Sequence, residues 1–138
     1  MGLYLAVFDG NDEELEGVEV GYYDDFNWFR KSVSSYLEKC RYGSRFPILQ
    51  FHTDCDGEWS PEEAKKLENE LLTIQEEMSK LQPIALNSEW QEEVSRVMGV
   101  EMNSLADCFF DVDGESLLER LICLARVCQQ ENCPIVFQ

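Results

Sequence analysis

Residues 46–83, FPILQFHTDCDGEWSPEEAKKLENELLTIQEEMSKLQP, change hydrophobic period part-way along and so decide the fold class. The first piece, FPILQFHT at 46–53, is rich in apolar and aromatic residues and too short for a typical helix. It is bounded by Pro47 and by the acids after Thr53, which predicts a central strand. Ser60, Pro61 and Glu63 then spell a helix start: Ser60 as N-cap, Pro61 at the first position where a missing N–H costs nothing, and Glu63 closing a capping box. Ala64, Leu67, Leu71, Ile74, Met78 and Leu81 follow at steps of three and four until Pro83 ends the segment. The stripe covers fewer heptads than a coiled coil needs, so it reads as a core-facing helix, with a partner helix as the alternative.

Upstream, LYLAVF at 3–8 is a nearly continuous apolar run ending in Asp9, Gly10, Asn11 and Asp12, a buried strand and its turn, with GVEVGYY at 17–23 as hairpin partner. From Asp24, the expected N-cap, Phe26, Phe29, Val33, Tyr36, Leu37 and Cys40 fall within an arc of about 100°. That is an amphipathic helix, with Lys39 and Arg41 near its end and Gly43 as its stop. Downstream, Ser88 with Gln91 opens a short helix whose stripe is Trp90, Val94, Val97 and Met98, closed by Gly99. SLADCFFDV at 104–112 reads as a helical turn and then a strand from Cys108. Leu117, Leu118, Leu121, Ile122, Leu124, Ala125 and Cys128 make a more deeply buried helix, and PIVFQ a last strand. The order is strand, strand, helix, strand, helix, helix, strand, helix, strand. It predicts one α+β domain over residues 1–138, a mixed sheet with about four helices packed on it.

A chain of 138 residues suits one domain, and Leu, Ile, Val and Phe make up about 28% of it, above the roughly 20% below which acidic chains stay disordered. With 28 Asp and Glu against 11 Lys and Arg the net charge is −17, spread evenly over both halves. Such a surface repels phosphate backbones and anionic lipid, so neither nucleic acid nor membrane is an expected partner. The amino terminus has no basic region before its first acids and no run approaches the length of a membrane span, which predicts a cytoplasmic protein with its six cysteines reduced.

Two acidic turns, FHTDCDGEWSPEE and FFDVDGESLLE, echo one another. Asp54, Asp56 and Glu58, and again Asp111, Asp113 and Glu115, invite a calcium reading. An EF-hand loop, however, needs Gly at its sixth position and Glu at its twelfth, and these turns hold Trp59 and Lys65, or Ser116 and Ile122, there. His52 and Cys55 are separated by three residues, which on an extended chain puts them on opposite faces. Asp54 and Asp56 flank the thiol and disfavour its anion. One histidine and no CxxC pair exclude a histidine-rich or paired-cysteine zinc site. Phosphate-binding glycine loops, GxSxG and HExxH are also missing, so no catalytic residue, metal or cofactor is expected. Trp28 lies about 120° from the centre of its helix's stripe, either packed at its edge or exposed as a partner anchor.

At HTDCDGEWSPEE, with LYLAVFD and GVEVGYYDDF before it and FFDVDGESLLERL and PIVFQ after it, the chain resembles the immunity protein 70 family of bacterial polymorphic-toxin systems, nearly end to end. The resemblance implies a cytosolic bacterial protein that binds and blocks a cognate toxin without catalysis of its own. A field of −17 suits a basic toxin, whose phosphate sites carboxylates can occupy. The resemblance gives no role to the basic island Arg30, Lys31, Lys39, Arg41 and Arg45.

Two other readings compete: a carboxylate-based divalent-metal module or metal-dependent enzyme built on the two DxDGE turns, and an acidic adaptor. If the strands ending at Thr53 and Val112 run parallel in one sheet, both turns emerge at its carboxyl edge, where open α/β sheets present ligand sites. Asp54, Asp56, Glu58, Asp111, Asp113 and Glu115 then line one partner-binding rim, with Trp59 and Trp28 as aromatic anchors. The plainer alternative keeps Trp59 in the core.

Overall fold

The computed structural model describes residues 2–138. It is an α+β domain with a four-stranded, wholly antiparallel sheet in the order β2-β1-β4-β3. Strands β1 (Gly2–Phe8) and β2 (Glu14–Tyr22) form the expected hairpin, and β4 (Ile135–Phe137) comes from the chain's end. The expected mixed sheet is corrected to an antiparallel one, because β4 and β3 (Glu58–Trp59) return beside β1 without a parallel crossover.

Helix α1 spans Tyr23–Leu37, two residues earlier than a cap at Asp24 requires. The carboxylate of Asp25, not Asp24, reaches back to accept from the Tyr22 N–H at 3.2 Å. Its expected stripe holds at Phe26, Phe29, Val33 and Leu37. Tyr36, still within the helix, is exposed, and so is Cys40, because the chain leaves the helix at Glu38 and takes left-handed turns at Lys39 (φ 52°) and Cys40 (φ 62°).

The predicted central strand at 46–53 is overturned. Pro47–Gln50 is a single helical turn, α2, and the strand of this region is displaced to Glu58–Trp59 at the sheet's edge. Pro47 sits at the start of the turn, where it fits. The free N–H groups of Ile48 and Leu49 donate to the Glu70 carboxylate at 3.1 and 3.0 Å, a cap supplied by another helix.

Helix α3 (Pro61–Met78) starts as its sequence predicts. Glu63 N–H donates to Ser60 Oγ at 3.1 Å, and Ser60 N–H donates to the Glu63 carboxylate at 3.0 Å. Its stripe from Ala64 to Met78 is fully buried against α1 and against α5 (Leu117–Glu131). Glu68 ties α3 to α5 by accepting from Arg126 at 2.7 Å and Gln129 at 2.9 Å. Helix α4 (Glu89–Met98) has the predicted Ser88 cap and a left-handed Gly99. It is not a core helix: Val97 and Met98 are exposed and Gln91 is its one buried residue. Residues 105–108 form a 3-10 turn capped by Asp107, and the strand expected after it is reduced to one bridge between Phe110 and Ser116.

Two of the five residues of the basic island, Arg30 and Arg45, belong to this scaffold. Arg30 is buried and donates to the carbonyls of His52 (2.6 Å) and Leu49 (3.3 Å) and to Asn27 (2.8 Å). Arg45 donates to Leu37 O and grips Glu77 through both guanidinium nitrogens. Between them the buried carboxylate of Glu38 organises loop 39–46, accepting from the N–H groups of Gly43, Arg45 and Phe46 and from Gln50 Nε2. Burial alone would raise the Glu38 pKa; the four hydrogen bonds outweigh it and hold it below the ordinary carboxylate value.

Two outcomes follow. Ser60→Ala should cost about 1 kcal/mol in a chemical denaturation series. Because the folded pKa of Glu38 lies below the unfolded one, its contribution is complete above about pH 4.5 and is lost as pH falls through the lowered value. Glu38→Gln should therefore lose about 1–3 kcal/mol at neutral pH, and the gap to wild type should close on acidification, read from paired denaturation curves.

Candidate partner-binding surface

Cross-strand partners share a face of a sheet, so the register sorts the side chains. The rows Val18–Leu5–Phe137 and Glu16–Val7–Ile135–Trp59 point to the helices, and every apolar member is buried. The other rows are Glu14–Phe8, Gly17–Ala6–Val136–Glu58 and Glu19–Tyr4, the last paired onward with Gln138 through two backbone hydrogen bonds. On these, Glu14, Glu19, Glu58 and Gln138 are exposed, while Tyr4, Phe8 and Val136 are half-buried and lie outside the core. The sheet thus has one bare face: an apolar centre of Tyr4, Phe8 and Val136 over a fully buried Ala6, flanked by three carboxylates, with no lysine or arginine in its rows.

Tyr4 crosses this face to donate to the Glu14 carboxylate at 2.5 Å, and that hydrogen bond above all pushes its phenol up to about 12. Gly17 makes the crossing possible, since a Cβ there would come within 2.3 Å of the Tyr4 hydroxyl oxygen.

The six acids of the two turns do not line one rim. The first turn leads into β3 at one edge of the sheet. The second is attached to β2 at the opposite edge, where Val112 N–H donates to Glu19 O. The rim required parallel strands ending at Thr53 and Val112; neither exists. Within the first turn, Asp54 accepts from Asn27 Nδ2 at 2.7 Å, Asp56 and Glu58 are exposed, and Trp59 is only 1% exposed. Trp59 is a core residue, its indole N–H donating to Ile48 O at 3.1 Å and its ring edge-on to Phe137. Trp28 is half-buried against Phe109 with ring centroids 4.8 Å apart, so edge packing is its position.

In the second turn Asp111 is 1% exposed and accepts from the N–H groups of Asp113 and Glu115 and from Arg120. Burial outweighs these bonds and raises its pKa. Arg120 also pairs with Glu115 and Glu16 and donates to Gly17 O, stapling the turn and α5 to the outer edge of β2. Asp113 and Glu115 remain exposed.

Neither turn gathers metal ligands: among the described residues no three His, Cys, Asp or Glu side chains converge on a point that would hold a cation. His52 and Cys55 do not meet as a dyad. The two His52 ring nitrogens lie 2.9 and 3.0 Å from the carbonyl oxygens of Thr53 and Glu58, and the ring stacks on Phe137 at 4.1 Å. Local desolvation and the charges of Asp56 and Asp54 raise the Cys55 thiol, the opposite of nucleophile activation. All six cysteines are free. No helix among the described residues is long and apolar enough to cross a membrane.

Beside the outer edge of β2 the bare face runs into a groove of about 330 Å³ walled by Tyr22 and Trp90. Both features escape a reading of single segments: LYLAVF is apolar throughout and hides which residues face out. The usable signal lies in its partner strand, where the acids Glu14 and Glu19 mark the solvent side once paired.

A family model described as Immunity protein 70 matches residues 3–137. The chain belongs to the immunity protein 70 family. Membership carries a toxin-immunity role and, with it, binding of a cognate toxin. Comparison with curated proteins and with solved structures gave no significant match.

The placement of Trp59 separates core from surface experimentally. Trp59→Ala should cost about 3–5 kcal/mol in denaturation. Its neighbour's substitution, Glu58→Lys, should leave the midpoint nearly unchanged, as for a charge on a bare face.

Proposed function

We propose that this chain is a non-catalytic inhibitor that neutralises a basic toxin domain of a bacterial polymorphic-toxin system by laying the bare, acidic sheet face on it. The observation that carries the reading is the face itself: an apolar centre ringed by Glu14, Glu19 and Glu58, on a chain whose family is defined by toxin immunity. A centre of Tyr4, Phe8 and Val136 supplies area to bury. The carboxylates and the net charge of −17 speed encounter with a cationic partner and can stand where the phosphates of its substrate would. The exposed acids of the turns, Asp56 at one edge and Asp113 and Glu115 at the other, extend the same field around the face. Asp54, held by Asn27 of α1, and Trp28, packed on Phe109, belong to the helix layer and are given no contact with the toxin in this reading. Nothing in this mode of action needs a metal, a cofactor or a nucleophile, and it operates where the toxin would act, in the producing cell's cytoplasm.

The test is co-expression with the toxin domain encoded beside this chain's gene. The wild type should restore growth and co-purify. A folded Glu14→Lys, Glu19→Lys, Glu58→Lys variant should associate about tenfold or more slowly at low salt and lose most of its salt dependence. Unchanged association by that variant would remove the bare face from the interface.

A further inference from the structure

The groove at the end of β2 is built from residues that the core does not use. Trp90 stands in the first turn of α4, whose start is fixed by local caps: Gln91 N–H donates to Ser88 Oγ at 3.2 Å and Asn87 N–H to Gln91 Oε1 at 2.8 Å. The indole lies against the backbone of Gly21, whose φ of +120° is closed to other residues without strain. A Cβ there would come within 2.8 Å of Trp90 Cη2. Tyr22, half exposed, meets the indole edge-on with centroids 5.5 Å apart. Val94 and Val112 complete the apolar wall, and Glu19 brings one carboxylate. No lysine or arginine lines the groove. Glu19 also belongs to the bare face, so the groove opens onto that face.

Two aromatic rings, aliphatic walls and a single carboxylate that no described lysine or arginine meets match one side chain best. Arginine can lay its methylenes along valine, stack its planar guanidinium on an indole or phenol, and still direct N–H groups at a carboxylate. A neutral apolar group would leave Glu19 unused and partly desolvated, whereas an acidic one would be repelled by it.

We propose that this groove, between Gly21, Tyr22, Trp90 and Glu19, receives an arginine side chain of the toxin domain as an anchor of the complex. This rests on the reading that the bare face binds a basic toxin, and the two can fail separately.

One measurement needs no toxin. The tripeptide acetyl-Gly-Arg-Gly-amide should shift the Trp90 indole and Gly21 amide resonances saturably at millimolar concentration. The isosteric citrulline peptide should not, and Glu19→Gln should abolish the response. Equal shifts with citrulline, no saturation, or shifts centred elsewhere overturn the inference. In the complex with the neighbouring gene's toxin domain, Trp90→Leu should raise the dissociation rate about tenfold or more with little change in association. Tyr22→Ser gives the same test without touching α4. If both variants dissociate like wild type while the Glu14, Glu19, Glu58 triple variant still associates slowly, the groove is not an anchor and the bare-face reading stands. If the triple variant also behaves as wild type, the bare-face reading falls with it.

Discussion

A four-stranded sheet covered by helices on one side is the constraint from which the rest of the molecule follows. Leu3, Leu5, Val7, Val18, Ile135, Phe137 and Trp59 form a wall that must be covered, because apolar area left in water costs roughly 25 cal/mol per Å². Helices α1 and α5 cover it, and α3 packs on both of them. The pleat then leaves every intervening residue on the far side, and no helix remains to cover that. Glu14 and Glu19 of β2 and Glu58 of β3 sit on the uncovered side, where their charge stays in water, while Glu16 on the helix side is met by Arg120.

Long-range polar contacts finish what the apolar wall begins. Glu38 fixes the loop after α1, Glu70 caps the turn at Pro47, and Asp111 with Arg120 closes the second acidic turn onto β2. Each carboxylate satisfies backbone N–H groups that no regular element could, so several acids of this chain do structural work. Arg30 and Arg45 serve the opposite role, donating to backbone carbonyls, which accounts for much of the positive charge between residues 30 and 45.

That division explains what could be read from the sequence. The Ser60 box, the α3 and α5 stripes and the β1–β2 hairpin depend on neighbours in sequence, and all were legible. FPILQFHT was not, since its conformation is set by Glu70, about twenty residues away, and an apolar run of that length is compatible with a strand or a buried turn. The stripe of α4 misled for a related reason. Its spacing is helical, but periodicity cannot say whether a core lies opposite, and here Val97 and Met98 face solvent. The rim of six carboxylates failed because it assumed parallel strands. Glu58 survives on the bare face, while Asp111 and Trp59 are interior.

The same accounting picks out which of the acids are available to a partner. Glu38, Asp111, Asp54, Glu63 and Asp107 are each committed to hydrogen bonds that hold a loop or helix start, and Glu68 and Glu77 to arginines. Among the described residues Glu19 and Glu58 make no salt bridge, and Glu14 is met only by a phenol. An isolated fold gains nothing from lining three carboxylates along an apolar strip, since their mutual repulsion weakens the sheet that carries them. A cationic partner reverses the sign of that term, so the arrangement is favourable in the complex and costly without it.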